Sequence, residues 1–524
     1  MSSEESYARC AESDSQPDGS VVCLPNDFSF PKLQRYGIAE FGTLYDCDRW
    51  RKILDALCDI DRGTRCLIIE NNRPKATLGI FSALYQNLEI LYLSGVTSCH
   101  NIVPSIDERG LNELTPLDVG GCEDLECIMD ASKSPHGKSG NPVMLSRLVE
   151  LYMRGLPELK WIWKAPVSRC NNLTYIFTLS QARSLVQLKS LKVSYCERLE
   201  CIVEAKFDHN ERKLRFKDLP ELISFCSKNY YSTWPALEEL DVRRCPKLTV
   251  NSTELEANLQ YLGELFIYLS HKLRILRVRE CSHLCDTIDA LLKHGLKILE
   301  ELGISQLGVH VVFQVEAIIA EGQENKLFPC LKTLWLENLG ELQLLLYHVG
   351  STHNFSLQSL TNLRVDGCTM LRRLFSSTLT RNLLQLKELY IRNCWELEQI
   401  IDEDEDEDHL QPVCFPKLTQ IFVLGCSKLK HLFHISVAPS LQKLSRLYIV
   451  GNDELEEVFC HKDGADVTDY NEIVMNELRK LELINLPNLT NFWPAGYQIP
   501  FPSAPYRVVV RNCPKFRPSS EGDI

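Results

Sequence analysis

Leu386-Lys-Glu-Leu389-Tyr-Ile391-Arg-Asn-Cys394-Trp-Glu-Leu397-Glu-Gln-Ile400 sets apolar residues at fixed steps around one cysteine, and the same spacing returns along the whole chain. Leu-x-x-Leu-x-Val-x-x-Cys-x-x-Leu recurs at Leu188/Leu191/Val193/Cys196/Leu199, Leu237/Leu240/Val242/Cys245/Leu248 and Leu360/Leu363/Val365/Cys368/Leu371, and fits again around Cys281 and Cys426. A second form puts leucine where the cysteine stands, often with proline after it: Leu148/Leu151/Met153/Leu156-Pro157 and Leu478/Leu481/Leu483/Leu486-Pro487. Neighbouring anchors mostly lie about 23 to 36 residues apart, a self-similarity that marks a repeat architecture.

The physics of one unit explains why it must repeat. Each unit buries roughly five aliphatic side chains, worth on the order of 10 kcal/mol gross. Ordering about 26 residues costs at least as much in backbone entropy. A lone unit is therefore unfolded, and stacking is what lets each leucine row pack on the rows above and below it. The expected fold is an α/β solenoid, a leucine-rich repeat horseshoe whose short Leu-x-Val strands form a parallel concave β-sheet, with an irregular or short-helical convex side.

The expected organisation is a disordered N-terminus over 1–20, an irregular N-terminal part of the repeat array over 21–85, leucine-rich repeats over 86–516 and a C-terminal tail over 517–524. Ser377–Leu384 and Ala438–Leu444 suit short helical turns, and the Trp493-Pro494 stretch suits a loop. Two places break the period. Leu156 and Cys170 are too close for a full turn, as if a strand half-repeat were missing between Trp163 and Val167. Between Leu307 and Leu331 the chain inserts Val309 to Lys326, whose apolar character implies a partly buried convex excursion.

The formal net charge of -13 argues against nucleic acid as the main partner. No apolar run reaches the length of a membrane span. The first nineteen residues, Met1 to Gly19, are polar and acidic without an apolar signal core, so the expected location is cytoplasmic. Nine of the 22 cysteines (Cys122, Cys170, Cys196, Cys245, Cys281, Cys368, Cys394, Cys426 and Cys513) take the one repeat position just after the strand, where a small side chain with a weak S–H donor faces the turn backbone. Free thiols are expected in a reducing compartment.

Features that resemble chemistry dissolve on inspection. Gly137-Lys138-Ser139 looks like the end of a P-loop, but the first glycine of that motif would fall at Ser132. Cys281-x-His283-x-Cys285 offers three soft ligands, yet Cys281 is already claimed by the repeat and no Cys-x-x-Cys partner exists. Neither Gly-x-Ser-x-Gly nor His-Glu-x-x-His is present. No catalysis, metal or cofactor is expected. The acidic run Asp402–Asp408 reads as a solvated loop; without its seven charges the rest of the chain carries about -6.

Strand side chains alternate between faces, so residues between and just after the two apolar anchors should face solvent on the concave side. Between the anchors stand Tyr152, Lys192, Arg215, Asp241, Arg277, Trp335, Arg364, Tyr390, Phe422 and Tyr448. After the second anchor stand Arg154, Ser194, Lys217, Arg243, Arg279, Ser305, Glu337, Asp366, Arg392 and Arg511. The expectation is a basic stripe on an acidic protein, with aromatics grouped toward the C-terminal part. Arginines and aromatics on a rigid scaffold are the residue types of interface hot spots, so a protein-binding surface with some preference for acidic partners follows.

Leu24-Pro-Asn-Asp-Phe-Ser-Phe-Pro-Lys-Leu-Gln-Arg-Tyr36, Leu88-Glu-Ile-Leu91-Tyr-Leu93, Leu125-Glu-Cys-Ile128-Met-Asp130, Leu156-Pro-Glu-Leu159-Lys-Trp-Ile-Trp163, Asn172-Leu-Thr-Tyr-Ile-Phe177 and Gln385-Leu-Lys-Glu-Leu389 resemble the leucine-rich region of plant coiled-coil nucleotide-binding disease resistance proteins. The likeness runs from about residue 24 through nearly the whole chain. In that family a nucleotide-binding module switches between ADP and ATP while the repeats sense pathogen molecules and restrain activation. With no credible P-loop, the resemblance implies only the recognition half, without its own nucleotide-binding domain. The implied partners are proteins: a pathogen effector, a guarded host protein, or the nucleotide-binding domain of a related receptor, which Arg243, Arg279 and Arg392 would contact. Two alternatives stand beside it, a substrate adaptor of a ubiquitin ligase and a truncated receptor remnant without function.

Overall fold

The structure, a computed structural model, describes residues 36–41, 65–70, 78, 81–103, 106, 111–130, 145, 147–159, 161–164, 175–177, 188–197, 199, 201–203, 212–226, 236–248, 272–284, 298–315, 328–348, 357–380, 383–402, 415–461, 475, 477–494 and 507–517. The chain divides into two units, the first spanning Met1–Leu259 with Ile267–Lys272 and the second Gln260–Phe266 with Leu273–Ile524.

In each unit the Leu-x-Leu segment of every described repeat is a strand, and successive strands pair in parallel with no register slip. The first unit carries Tyr36–Phe41, Arg65–Glu70, Ile90–Ser94, Pro116–Gly120, Glu150–Arg154, Ser190–Ser194, Lys213–Lys217 and Glu239–Arg243, each bonded to the next. The ladder thus already runs through Tyr36–Phe41 and Arg65–Glu70, upstream of the clear repeat pattern. The second unit carries Ile275–Arg279, Glu301–Ser305, Thr333–Glu337, Asn362–Asp366, Glu388–Arg392, Gln420–Leu424, Arg446–Val450, Lys480–Ile484 and Arg507–Arg511 in the same manner. This is the leucine-rich repeat solenoid that the spacing predicts.

The alternation of the sequence is visible in the burial. In Glu388–Arg392, Leu389 and Ile391 are fully buried while Glu388 and Tyr390 are half-buried and Arg392 is exposed. The leucines before and after each strand, such as Leu386 and Leu397, close the core from the other sides. Burying such a side chain is worth roughly 1.5–3 kcal/mol. The anchors repeat at nearly every rung, and together they offset the entropy that a single unit cannot.

Opposite the long sheet lie short parallel pairings. In the first unit Asn101–Val103, Cys127–Asp130 and Trp161–Lys164 form one group, and Tyr175–Phe177, Cys201–Val203 and Ser224–Cys226 another. In the second unit Arg373–Phe375 pairs with Gln399–Ile401 and Phe433–His434 with Phe459–Cys460. A phenylalanine spine, Phe375, Phe415, Phe433, Phe459 and Phe492, runs beneath them with ring centroids 5.7–6.4 Å apart. Ser377–Thr380 is a single helical turn and Ile435–Ser440 a 3-10 turn.

The two irregularities lie where the spacing marks them. Glu150–Arg154 pairs directly with Ser190–Ser194, so no strand of the long sheet lies between them: two apparent short repeats are one long repeat. Cys170 itself lies outside the described residues. The insertion after Leu307 begins with buried Val309, Val312 and Phe313, and Val311–Val315 pairs with Leu344–His348, so its first part is a regular back strand.

From Ile90–Ser94 onward, the residue that leaves each strand, one position before the cysteine, leucine, Val96 or Asn452 of the turn, takes a positive φ. It is Gly95, Gly121, Gly155, Tyr195, Asp218 and Arg244 in the first unit. In the second it is Glu280, Gln306, Asn338, Gly367, Asn393, Gly425, Gly451, Asn485 and Asn512. This conformation turns its N–H onto the next rung, as from Gly425 to the Val450 carbonyl at 2.9 Å. The cysteine that follows donates its thiol to the carbonyl two residues back, as from Cys281 to Arg279 at 3.1 Å and Cys394 to Arg392 at 3.3 Å. The thiols are free among the described residues. Burial pushes Cys66 up to about 12 and Cys122 and Cys196 up to about 11, so these are inert packing groups. One rung differs: Asn452 takes the cysteine position, fully buried, accepting from the Cys426 N–H at 2.7 Å and donating to the Val423 carbonyl at 3.2 Å.

Candidate functional site

Parallel pairing without slip stacks equivalent residues into columns, so the open face of each sheet is read column by column. The expected basic stripe gives way here to a set of ion pairs. In the first unit Arg215 reaches Glu239 at 2.6 Å, and Arg243 grips Asp241 through two hydrogen bonds of 2.6 and 2.7 Å. Both carboxylates are almost fully buried, so each needs its cation. Lys217 donates to the Tyr195 hydroxyl at 2.6 Å and lies 4.9 Å from that ring's centroid. Lys192 is half-buried and Arg154 exposed.

In the second unit Arg277 pairs with Glu301 at 2.6 Å, while Glu337 is shared between Arg279 at 3.3 Å and Arg364 at 3.4 Å. Arg364 also meets Asp366 at 3.1 Å. Sequence reasoning missed Glu239 and Glu301 because they stand before the first anchor, a third column on the same face that alternation makes equivalent to the two it used. Of the three arginines singled out as partner contacts, Arg243 and Arg279 are spent inside the protein. Arg392 alone is exposed without an ion pair among the described residues.

The aromatics gather as the columns require. Trp335, Arg364, Tyr390, Phe422 and Tyr448 are successive register partners across the strands Thr333–Glu337 to Arg446–Val450. The Arg364 guanidinium stacks over the Tyr390 ring at 4.6 Å. Tyr390 and Phe422 lie 5.8 Å apart and tilted; Phe422 and Tyr448 are stacked at 4.8 Å with planes 10° apart. Before Trp335 the column holds Gly303, and across that gap Arg277 reaches to 5.8 Å from the indole.

Beside the aromatic column stand Leu424, Val450 and Ile484, half-buried in the position that holds Glu337 and Asp366 further up. Sequence reasoning passed over them, although they occupy the same column as Arg392. They join Tyr390, Phe422 and Tyr448 into one apolar patch. Around it stand Arg392, Arg446, Lys480 and Arg511, without ion pairs among the described residues, and Arg507, 3.8 Å from Glu482. Among the described residues no group of three or more His, Cys, Asp or Glu is placed to hold a metal ion. His283 and Cys285 have no described side chains, and Gly137-Lys138-Ser139 and residues 403–408 lie outside the described residues. Asp402, at the head of the acidic run, pairs with Arg373 at 2.6 Å. No helix among the described residues is long and apolar enough to cross a membrane.

Comparison with known proteins places these columns in a family. The chain is similar to the probable disease resistance protein At1g61190 of Arabidopsis thaliana, 26% identical over 369 residues that cover 67% of this chain and 31% of that protein. It is similarly related to the disease resistance protein UNI of Arabidopsis thaliana, 25% identical over 361 residues, 67% of this chain and 34% of that one. The chain thus matches about a third of the length of these relatives. A solved plant peptide hormone receptor, RGFR1 in complex with RGF2, aligns over 90% of this chain and 84% of its own at 14% identity, but with a TM-score of 0.22, too low to carry argument. A family model described as plant disease resistance protein RPS2-like, leucine-rich repeats, matches residues 70–197, 267–395 and 397–518, well over half of the sequence. The chain belongs to the leucine-rich repeat family of RPS2-like plant disease resistance proteins.

Proposed function

We propose that the chain is a non-catalytic protein-recognition module of plant immunity, acting in the cytoplasm. Its partner is a pathogen effector, a guarded host protein or the nucleotide-binding domain of a related receptor. Family membership supports the immune setting. The observation that carries the recognition role is the apolar patch of Tyr390, Phe422, Tyr448, Leu424, Val450 and Ile484, half-buried on the open face of a sheet whose other side already holds the core. Aromatic clusters on a rigid scaffold are where binding energy concentrates.

The test is site-specific photo-crosslinking. A benzoylphenyl side chain is placed at Tyr448 or, as control, at exposed Lys443 on the loop before the same strand, and the protein is illuminated in pathogen-challenged plant tissue. Discrete protein adducts at Tyr448 and not at Lys443 are expected. Adducts at neither position, or equally at both, would overturn the reading.

A further inference from the structure

The patch has a chemical character that narrows its partner. Phe422 stacks face to face on Tyr448 and packs tilted against Tyr390, whose ring has the Arg364 guanidinium over it. Side chains stand roughly perpendicular to a sheet, so rings that cover one another's faces turn their edges outward. An aromatic edge carries partial positive charge and the face partial negative charge. Such a surface is poorly suited to sugars or bases, which need open ring faces. It suits groups that bring negative charge to ring edges: the faces of aromatic side chains, and carboxylate or carbonyl oxygens.

Charge points the same way. On the open face of the four strands from Ile275–Arg279 to Asn362–Asp366, Arg277, Arg279 and Arg364 face Glu301, Glu337 and Asp366, and the charges cancel. On the five strands from Glu388–Arg392 to Arg507–Arg511 the cations are Arg392, Arg446, Lys480, Arg507 and Arg511, against only Glu388 and Glu482. Glu388 is already held by the Asn362 and Gln420 amides at 2.8 and 3.1 Å. The apolar patch of an acidic protein is therefore rimmed by excess positive charge.

We infer that this patch receives an acidic, aromatic-bearing segment of a protein partner: aromatic side chains pack face-on against the edges of Tyr390, Phe422 and Tyr448 while flanking carboxylates meet Arg392, Arg446 and Lys480. The inference rests on the recognition reading and names the chemistry of what is recognised.

Three fluorescein-labelled peptides test it on the full chain by anisotropy: one alternating Asp and Trp, one alternating Lys and Trp, and one alternating Asp and Ser. The Asp/Trp peptide is expected to bind at least about tenfold more tightly than either of the others. Phe422→Ala removes the central ring, and the double change Arg392→Glu with Arg446→Glu reverses the rim without touching the rings; each is expected to weaken Asp/Trp binding at least about tenfold. The double variant alters only exposed side chains, so it also guards against misfolding of Phe422→Ala. Equal or tighter binding of the Lys/Trp peptide, no binding of the Asp/Trp peptide, or Asp/Trp binding untouched by both variants overturns the inference. Adducts at Tyr448 alongside a failed peptide preference would leave recognition standing and remove only the acidic-aromatic assignment; absent adducts would remove the recognition reading itself.

Discussion

The open face of the second unit holds two stretches built on one scaffold and put to different uses. From Ile275–Arg279 to Asn362–Asp366 the outward columns hold arginines and carboxylates that neutralise one another. From Glu388–Arg392 to Lys480–Ile484 the same columns hold aromatic rings, aliphatic side chains and cations without ion pairs among the described residues. Beneath both, the anchors are equally buried: Leu334 and Leu336 in the first, Leu447 and Ile449 in the second. The inward half of each strand therefore sets the fold and leaves the outward half nearly unconstrained by it. Where the outward half is spent on internal ion pairs, little is left over for a partner; where it is apolar and rimmed by charge, a surface is left with unsatisfied chemistry.

The strongest way to break this comparison is to cut the shared scaffold. Leu334→Ala and Leu447→Ala each open a cavity under one stretch and are expected to cost roughly 2–5 kcal/mol, about equally. Urea unfolding of the two variants checks it; a loss at Leu447 and none at Leu334 would show that the two stretches are not equivalent scaffolds. Next in size stands the rung where asparagine replaces cysteine. Asn452→Ala strips a buried N–H of Cys426 and a carbonyl of Val423 of their partner, at roughly 1–3 kcal/mol. Cys394→Ala, two rungs away, removes a weak S–H donor at 3.3 Å rather than an amide that satisfies buried backbone groups, and is expected to cost less in the same measurement.

Turn exits sharpen the contrast further. Two of the four exits of the charge-paired stretch, Glu280 and Gln306, take positive φ where an ordinary side chain crowds its own backbone by roughly 1–2 kcal/mol, while Asn338 and Gly367 serve the other two. The apolar stretch uses Asn393, Gly425 and Gly451, which suit that conformation. Gln306→Gly is expected to raise the urea midpoint, with a gain below about 1 kcal/mol because glycine frees the unfolded chain. Gly451→Ala has open space around the new methyl and is expected to lose about 1 kcal/mol through φ alone. Gly425→Ala, whose methyl would sit 3.0 Å from the Asn393 amide oxygen, should lose more.

What the sequence disclosed follows the same division. The period of the leucines and the cysteine at the strand exit revealed the solenoid because burial forces those positions to repeat. The aromatic column of Trp335, Tyr390, Phe422 and Tyr448 was legible for a related reason: equal positions in successive repeats become neighbours when no register slips. The ion pairs were not legible, because Glu301 and Glu337 lie 24 and 58 residues from Arg277 and Arg279 in sequence, and a charge column by itself says nothing of its neighbours. The missing half-repeat between Met153 and Val193 was legible because Leu156 and Cys170 stand too close for a full turn, and the ladder runs directly from Glu150–Arg154 to Ser190–Ser194. Leu424, Val450 and Ile484 were overlooked because a leucine or valine in a leucine-rich sequence reads as core until its column is known.

The smallest effect tests the charge-paired stretch directly. Glu337 bridges Arg279 and Arg364, with side chains still about one-fifth to two-fifths exposed, so water screens each pair and neither is worth more than about 1 kcal/mol. Glu337→Gln is therefore expected to lower the urea midpoint slightly at low salt and to leave it unchanged in molar salt, where screening has already removed the interaction. The same change leaves Arg279 facing outward without its carboxylate, while Arg364 keeps Asp366. If neutralisation is what silences this stretch, the Asp/Trp peptide should bind Glu337→Gln slightly more tightly than the unaltered chain, with the gain erased by salt. A stability loss that persists in molar salt would instead mean that Glu337 acts through packing or hydrogen bonding, and the contrast between the two stretches would have to be drawn on shape and not on charge.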